Sequence, residues 1–349
     1  MRFFALLCFL ASGIISAAAE VTPKVVIVAM FEVGKDTGDA PGEFQYWVER
    51  LKLDKTYPLP AGYHDVRSNA DGSVIGIVTG MGNTRAAATI MALGSDPRFD
   101  LSKSYWLVAG IAGIDPADGS LGSAVWAEWI VNGDLGHEID PREMPSDWPT
   151  GYVPLRKNRP YELPRNQDDS SQVFHLEPGF VEWAYELTKN TPLKDTAALK
   201  ERRAAYTGFP NAQRPPFVLK GDTLSSETFW HGKLMNEWAN AWVSYHTSGK
   251  GKYVTTAMED IGTYQSLAWL TRAGKADVRR LLVLRTASNY DMQWPGATAA
   301  ESMFGEKISH YSGYIPSLES ASQVGNQVVQ AILGGWDKIK MEPSAARPP

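Results

Sequence analysis

Apolar residues fall in short, dense runs separated by glycine-rich or polar segments. Residues 24–30, KVVIVAM, are a β-branched run between Pro23 and a loop carrying Gly34, Gly38 and Gly42, and they predict a buried first strand. GSVIGIVTGMG, 72–82, predicts a second strand ending in glycines, with a helical stretch, TRAAATIMAL, directly after it. YWLVAGIAGID, 105–115, repeats the strand-then-glycine pattern, and SAVWAEWIV, 123–131, alternates like a strand with one exposed face. Further on, FVLKGDTLSS predicts a strand entering a Ser-rich turn, followed by a helix over 229–242, a strand KYVTTAM and a helix IGTYQSLAWLTRAG. RRLLVLRTASN is the last expected strand and 317–336 the closing helix. Such alternation is α/β grammar.

The stretch 140–216 differs: prolines, Arg and Asn are frequent, and only 180–189 reads as helical. It is expected to be a long insertion of surface loops. The terminal MEPSAARPP, 341–349, is expected to be a disordered tail. No internal repeat is present.

Residues 1–19 carry one Arg, an apolar run and small residues ending in Ala-Ala-Ala before Glu20, the pattern of a secretory leader cut near Ala19. An exported, periplasmic protein is therefore expected. Cys8 is the one cysteine and lies inside this leader, behind Leu7 rather than the small residue of a lipoprotein site. Disulfides, thiolate catalysis and Cys-ligated metals are thus excluded from the mature chain. The net charge of -5 argues against nucleic acid and anionic membrane surfaces as partners. No later run approaches the roughly 20 apolar residues of a membrane helix.

In open α/β sheets, ligands collect beyond the carboxyl ends of strands. Five stretches fall at such ends: 30–32, 80–82, 110–113, 258–260 and 288–291. Gly80, Gly82, Gly110 and Gly113 allow backbone N–H groups to approach an anion or a nucleophile. Arg85, after the TGMG turn, can orient an acidic group or cover a helix end. The histidines show no metal-ligand spacing, no cofactor is implied, and no Gly-x-Ser-x-Gly elbow exists.

Taken in order, TGMG before an Ala-rich helix, AGIAG, KGDTLS, AMED at a strand-to-helix junction and RTASN resemble the nucleoside phosphorylase and nucleosidase superfamily. With the leader, the many tryptophans and the insertion, the chain is more closely similar to the purine nucleoside permease family, over about residues 24–334. The resemblance implies one three-layer α/β domain, about 20–340, with a central mixed sheet, and a homo-oligomer that takes purine nucleosides.

Carried across residue by residue, it puts Met258 against the sugar face and Glu259 on the 2′ and 3′ hydroxyls, a charge-assisted contact. The alternative is that Glu259 or Asp260 merely caps the helix that follows. Ser288 and Asn289 stand where nucleosidases carry Ser-Asp, whose Asp protonates purine N7. An amide can hydrogen-bond there, as the Asn of some purine phosphorylases of the superfamily does, but cannot usefully give up a proton; Asp291, two residues on, is then a candidate acid, and the alternative is that 288–291 is an ordinary turn. Val108 and Ile111 replace the Arg and hydroxyl that hold phosphate in phosphorylases, so water is expected as the nucleophile. Its base, implied just after the first strand, would fall at Val33, and the adjacent Glu32 is the expected base. Leu224 stands at the position of a base-stacking aromatic, with Phe229 or Trp230 as compensating walls.

These readings predict an exported purine nucleoside-binding protein that cleaves the N-glycosidic bond by hydrolysis in preference to phosphorolysis. The alternative is capture of nucleosides for uptake through a separate membrane transporter, without chemistry. A two-lobed solute-binding protein fits least, because 140–216 holds no second α/β half.

Overall fold

YWLVAGIAGI is buried at every position except the half-buried Ile111, so neither of its faces can meet water and it must lie inside a sheet covered on both sides. The computed structural model describes residues 21–165, 172–305 and 312–335. The leader with Cys8 and the tail 341–349 lie outside the described residues.

The chain forms β1 (Val25–Ala29), α1 (Gln45–Leu51), β2 (Lys55–Tyr57), β3 (Val66–Ser68), β4 (Val74–Val78), α2 (Asn83–Ser95) and the long β5 (Tyr105–Ile114). Next come β6 (Ala124–Ala127), β7 (Trp129–Asn132), β8 (Gly136–Glu138), β9 (Tyr152–Pro154), β10 (Val173–His175), α3 (Pro178–Thr188) and α4 (Ala197–Ala204). β11 (Val218–Lys220), β12 (Asp222–Ser225), α5 (Lys233–His246), β13 (Tyr253–Ala257), α6 (Asp260–Arg272), β14 (Leu281–Tyr290), α7 (Ala299–Gly305) and α8 (Tyr314–Gly335) follow.

The central mixed sheet runs β10-β7-β12-β13-β5-β1-β4-β3-β2, with β14 also paired to β5 and leading on to β6 and β11. Helices α1, α3 and α8 pack together, α8 lying on β5 and β14, while α2 crosses α6, which packs on β7 and β12. The mixed sheet between helical layers is the architecture that the family resemblance implies.

One feature of the pairing prepares a site. Parallel β1 follows β5 only from Tyr105 to Val108, and antiparallel β13 joins the strand at Gly113 and Ile114. Between them, residues 109–112 of β5 have strand pairing only to β14. The backbone groups at this opening must find other partners.

Three expectations change. The run 123–131 is two strands broken at Glu128, nearly fully buried rather than one-faced, because β6 pairs with β11 and β14 and β7 with β10 and β12. The segment 140–216 is more than surface loops: β10 extends the sheet beside β7, and α3 buries Phe180, Val181 and Ala184 in the main core. Its polar composition hides these short apolar runs. Finally, the helix expected over 229–242 begins at Lys233 and ends at His246, which frees Phe229 and Trp230 from helical geometry.

The α2–α6 crossing is held by Asn83, whose Oδ1 accepts from Gly262 N at 3.0 Å and from Ser225 Oγ at 3.0 Å. A Cβ on Gly262 would overlap the Asn83 carbonyl. Gly262→Ala should therefore lower stability by about 2–3 kcal/mol, seen as a lower urea midpoint at unchanged m-value. An unchanged midpoint would contradict this close approach.

Candidate functional site

The opening in β5 is filled by a carboxylate. Glu43, at the end of the loop that follows β1, accepts from Met30 N through Oε2 and from Ile111 N through Oε1, each at 2.7 Å. It thus takes the place of a strand at the gap, and it is 5 % exposed. Gly110 is the residue that permits this, because a Cβ there would meet Met30 Cε and come within 2.6 Å of Glu43 Oε1 and 2.9 Å of Arg285 Nη1.

Arg285, from β14, reaches the same point from the other side. Its guanidinium is 1 % exposed and binds Asp260 Oδ1 through Nη2 at 2.5 Å and Nε at 3.1 Å, and Glu259 Oε2 at 3.1 Å. Asp260 also accepts from Thr223 Oγ1 at 3.1 Å and is closed off from solvent. Glu259 Oε1 accepts from Gly82 N, and Met258 N lies against Oε2, both at 3.2 Å. The side chain of Glu259 makes no capping bond to α6, so the simple helix-cap alternative does not describe it.

Burial raises the Glu43 carboxyl to about 8, with Glu259 adding to the rise and Arg285 opposing it. Burial likewise raises Glu259, again against Arg285. Asp260, Glu259 and Glu43 in turn hold the Arg285 guanidinium charged despite its burial. One fixed cation therefore faces a cluster of carboxyls of which not all need be ionised.

A cavity of about 270 Å³ opens over this cluster. Glu43, Glu259, Ser288 and Asn289 line it, and Met30, Phe31, Met81, Met258, Ile111 and Phe229 make its apolar walls. Residues from all five predicted strand ends meet at it or directly behind it. Asn289 Oδ1 accepts from Ser288 Oγ at 2.8 Å and its Nδ2 donates to Tyr290 O at 3.1 Å, leaving one N–H free of that bond. Gly113 lies on the wall, Gly82 behind Glu259, and Gly110 under Glu43.

Other predicted residues sit elsewhere. Glu32 accepts from the backbone N–H groups of Val33, Gly42, Phe44 and Gln45, which closes the β1–α1 loop and aims the intervening Glu43 into the cavity. Its carboxylate is occupied in structure and does not line the cavity. Asp291 is fully buried behind Asn289, bound by Tyr253 Oη at 2.5 Å and by Asn236 Nδ2 at 3.1 and 3.2 Å. Burial, and then Asp115, raise it to about 7. Leu224 is in an aromatic core with Trp230, Trp238 and Trp242, and Phe229 forms the cavity wall instead. Arg85 is exposed and lies against Gly80, away from the cavity.

Sequence reasoning missed Glu43 and the role of Arg285. Gly42-Glu43-Phe44 follows a polar loop and carries no recognisable spacing; the one usable signal was a carboxylate directly after a glycine near the first strand end. Among the described residues no cluster of three or more His, Asp or Glu has metal-holding geometry. No described helix is long and apolar enough to cross a membrane.

Comparison with known proteins places this geometry in context. The model of the purine nucleoside permease family matches residues 22–342. A purine nucleoside permease of Candida albicans is 28% identical over 320 residues, 91% of this chain and 76% of that protein. A probable purine nucleoside permease of Schizosaccharomyces pombe is 27% identical over 339 residues, 93% of each chain. Among solved structures, futalosine hydrolase of Helicobacter pylori superposes with a TM-score of 0.52 at 14% identity, covering 88% of this chain and 98% of that one. The 5′-methylthioadenosine/S-adenosylhomocysteine nucleosidase of the same organism gives 0.53 at 12% identity, covering 89% and 99%. At such identities the likeness establishes a shared fold.

Removing the guanidinium would leave buried carboxyls without their cation. Arg285→Met should cost about 3–5 kcal/mol of unfolding free energy in urea titration, and Arg285→Lys less. A loss below about 1 kcal/mol would show that the cluster does not depend on this charge.

Proposed function

The chain belongs to the purine nucleoside permease family, and we propose that it binds a purine nucleoside in the cavity between Glu43 and Asn289 and cleaves its N-glycosidic bond with water. The observation that carries this reading is that the pair Glu43 and Glu259 lines one apolar-walled cavity together with the Asn289 amide. Glu259, held by Gly82 N and Arg285, would accept from the two ribose hydroxyls, with Met258 against the sugar.

Glu43 would take the role of base. Its two oxygens each hold one backbone N–H and keep a second lone pair for a water. The water oxygen bonds to C1′ as the C1′–N9 bond breaks, its proton passes to the Glu43 carboxylate, and the electron pair leaves on the purine. The free N–H of Asn289 would stabilise that charge at N7 by hydrogen bonding. Ile111 offers an apolar side chain where an anion would need a donor, which favours water over phosphate. The names of the curated relatives and the nucleosidase fold of the solved neighbours are consistent with a nucleoside as ligand.

A second reading, capture without turnover, is favoured by the acid end. Asn289 has no proton to give, and Asp291 is buried behind it and bound by Tyr253 and Asn236. In that case the cavity would present nucleosides to a separate membrane transporter.

Incubation with inosine and adenosine, with and without phosphate, followed by chromatography, separates these readings. Hydrolysis predicts free base at a rate independent of phosphate, reduced about 10²–10⁴-fold in Glu43→Gln. Because the base must be ionised and Glu43 sits at about 8, the rate should rise with pH and level off above that value. Tight binding without free base selects capture, and no binding removes both.

A further inference from the structure

Beyond Asn289 the cavity does not end. A recess of about 20 Å³, room for one water or one exocyclic atom, adjoins it and shares Phe229 and Asn289 as walls. Its other walls include His231, Ser302 and Arg202, whose guanidinium lies 4.2 Å over the Trp294 ring. Ser302 is 5 % exposed, yet its hydroxyl has no hydrogen-bond partner, and neither has His231 Nε2. Two buried polar atoms without partners on so small a recess are unusual, and the recess shares Asn289 with the larger cavity.

The chemistry of the recess is directional. Burial, followed by the charge of Arg202, lowers the His231 imidazole to about 4, so the ring is neutral at ordinary pH. The Tyr290 carbonyl faces the ring, and since Nε2 is the nitrogen without a partner, the proton is assigned to Nδ1. That leaves Nε2 as a lone-pair acceptor. The Ser302 hydroxyl, which can rotate, serves as donor or acceptor.

We propose that this recess takes the exocyclic group at C6 of the purine and that His231 selects a 6-amino group over a 6-oxo group. The inference rests on the nucleoside reading given above and adds the class of base. With the N7 edge beside Asn289, a substituent at C6 points past the amide, and an N–H donor meets the Nε2 lone pair. A 6-oxo group would bring an acceptor against Nε2 and leave His231 unpaired, whatever it gained from Ser302 or Arg202 on the same recess. Exclusion of a buried acceptor without a donor is the stronger half of such selectivity.

Isothermal titration of the protein with adenosine and with inosine tests it, using Glu43→Gln as the background so that turnover is slowed about 10²–10⁴-fold during the measurement. Adenosine should bind at least about tenfold more tightly, the worth of one hydrogen bond. His231→Leu should cut the adenosine-to-inosine ratio by about the same factor, and Ser302→Ala should keep most of it. Should His231→Leu fold poorly, as judged by its melting temperature, His231→Gln restores an acceptor and should retain the preference. Equal affinities in the background protein, or a ratio unmoved by His231→Leu, would overturn the selection while leaving nucleoside binding intact. Failure of both nucleosides to bind would overturn the selection together with the reading beneath it.

Discussion

A single buried guanidinium determines what the centre of this molecule can be. Arg285 is surrounded by Asp260, Glu259 and, slightly further off in effect, Glu43, and all four are buried, Glu43 and Glu259 keeping only an edge on the cavity. Removing a charge from water is tolerated only where another charge and well-placed hydrogen bonds replace the solvent. Asp260 provides the fork partner and neutralises the cation. Glu259 and Glu43 are then surplus acids in a low-dielectric space, and both are pushed towards the protonated form. Surplus acids with raised pKa values that border a cavity are poor devices for stability and good ones for binding hydroxyls or taking protons.

Strand pairing explains why the surplus lies beside a cavity. β1 leaves β5 after Val108 and β13 arrives at Gly113, so the backbone between them is open to a side chain. Glu43 bonds both Met30 N at the end of β1 and Ile111 N on β5, joining the two strands where they separate. Glu32 makes that possible from a distance, because its four backbone bonds fold the loop from Val33 to Gln45 into the shape that delivers Glu43. A carboxylate that shapes the loop thus supports the carboxylate that faces the cavity.

Much of this was legible beforehand. The β-branched runs named the central strands, and the rule that ligands gather at strand ends named Met258, Glu259, Ser288 and Asn289, which the fold brings to one cavity. What escaped depends on contacts between distant parts of the chain. Glu32 and Glu43 are similar acids near one strand end, and only the loop's path shows which is satisfied by backbone and which faces space. Asp291 has the right spacing from Asn289, yet the chain turns it inward to Tyr253 and Asn236. Leu224 alternates correctly along β12 but points to the side where Trp230, Trp238 and Trp242 form a core. The insertion misled for another reason, since short buried pieces such as β10 and α3 carry little weight in an average composition.

On the proposed reading, the carboxyls beside Arg285 would meet the sugar, and Asn289, Ser302 and His231, with Arg202 on the same recess, would meet the base. The carboxyls would then lie near the bond that breaks, and His231 and Asn289 would read the base through directional hydrogen bonds. A crystal of the Glu43→Gln protein soaked with adenosine tests this arrangement most directly. The account predicts both ribose hydroxyls within about 2.6–3.2 Å of Glu259, C1′ turned towards position 43 and the purine edge against Asn289. A nucleoside seated in the separate aromatic pocket of Tyr152, Trp230 and Trp238, or one whose sugar points away from Glu259, would contradict it.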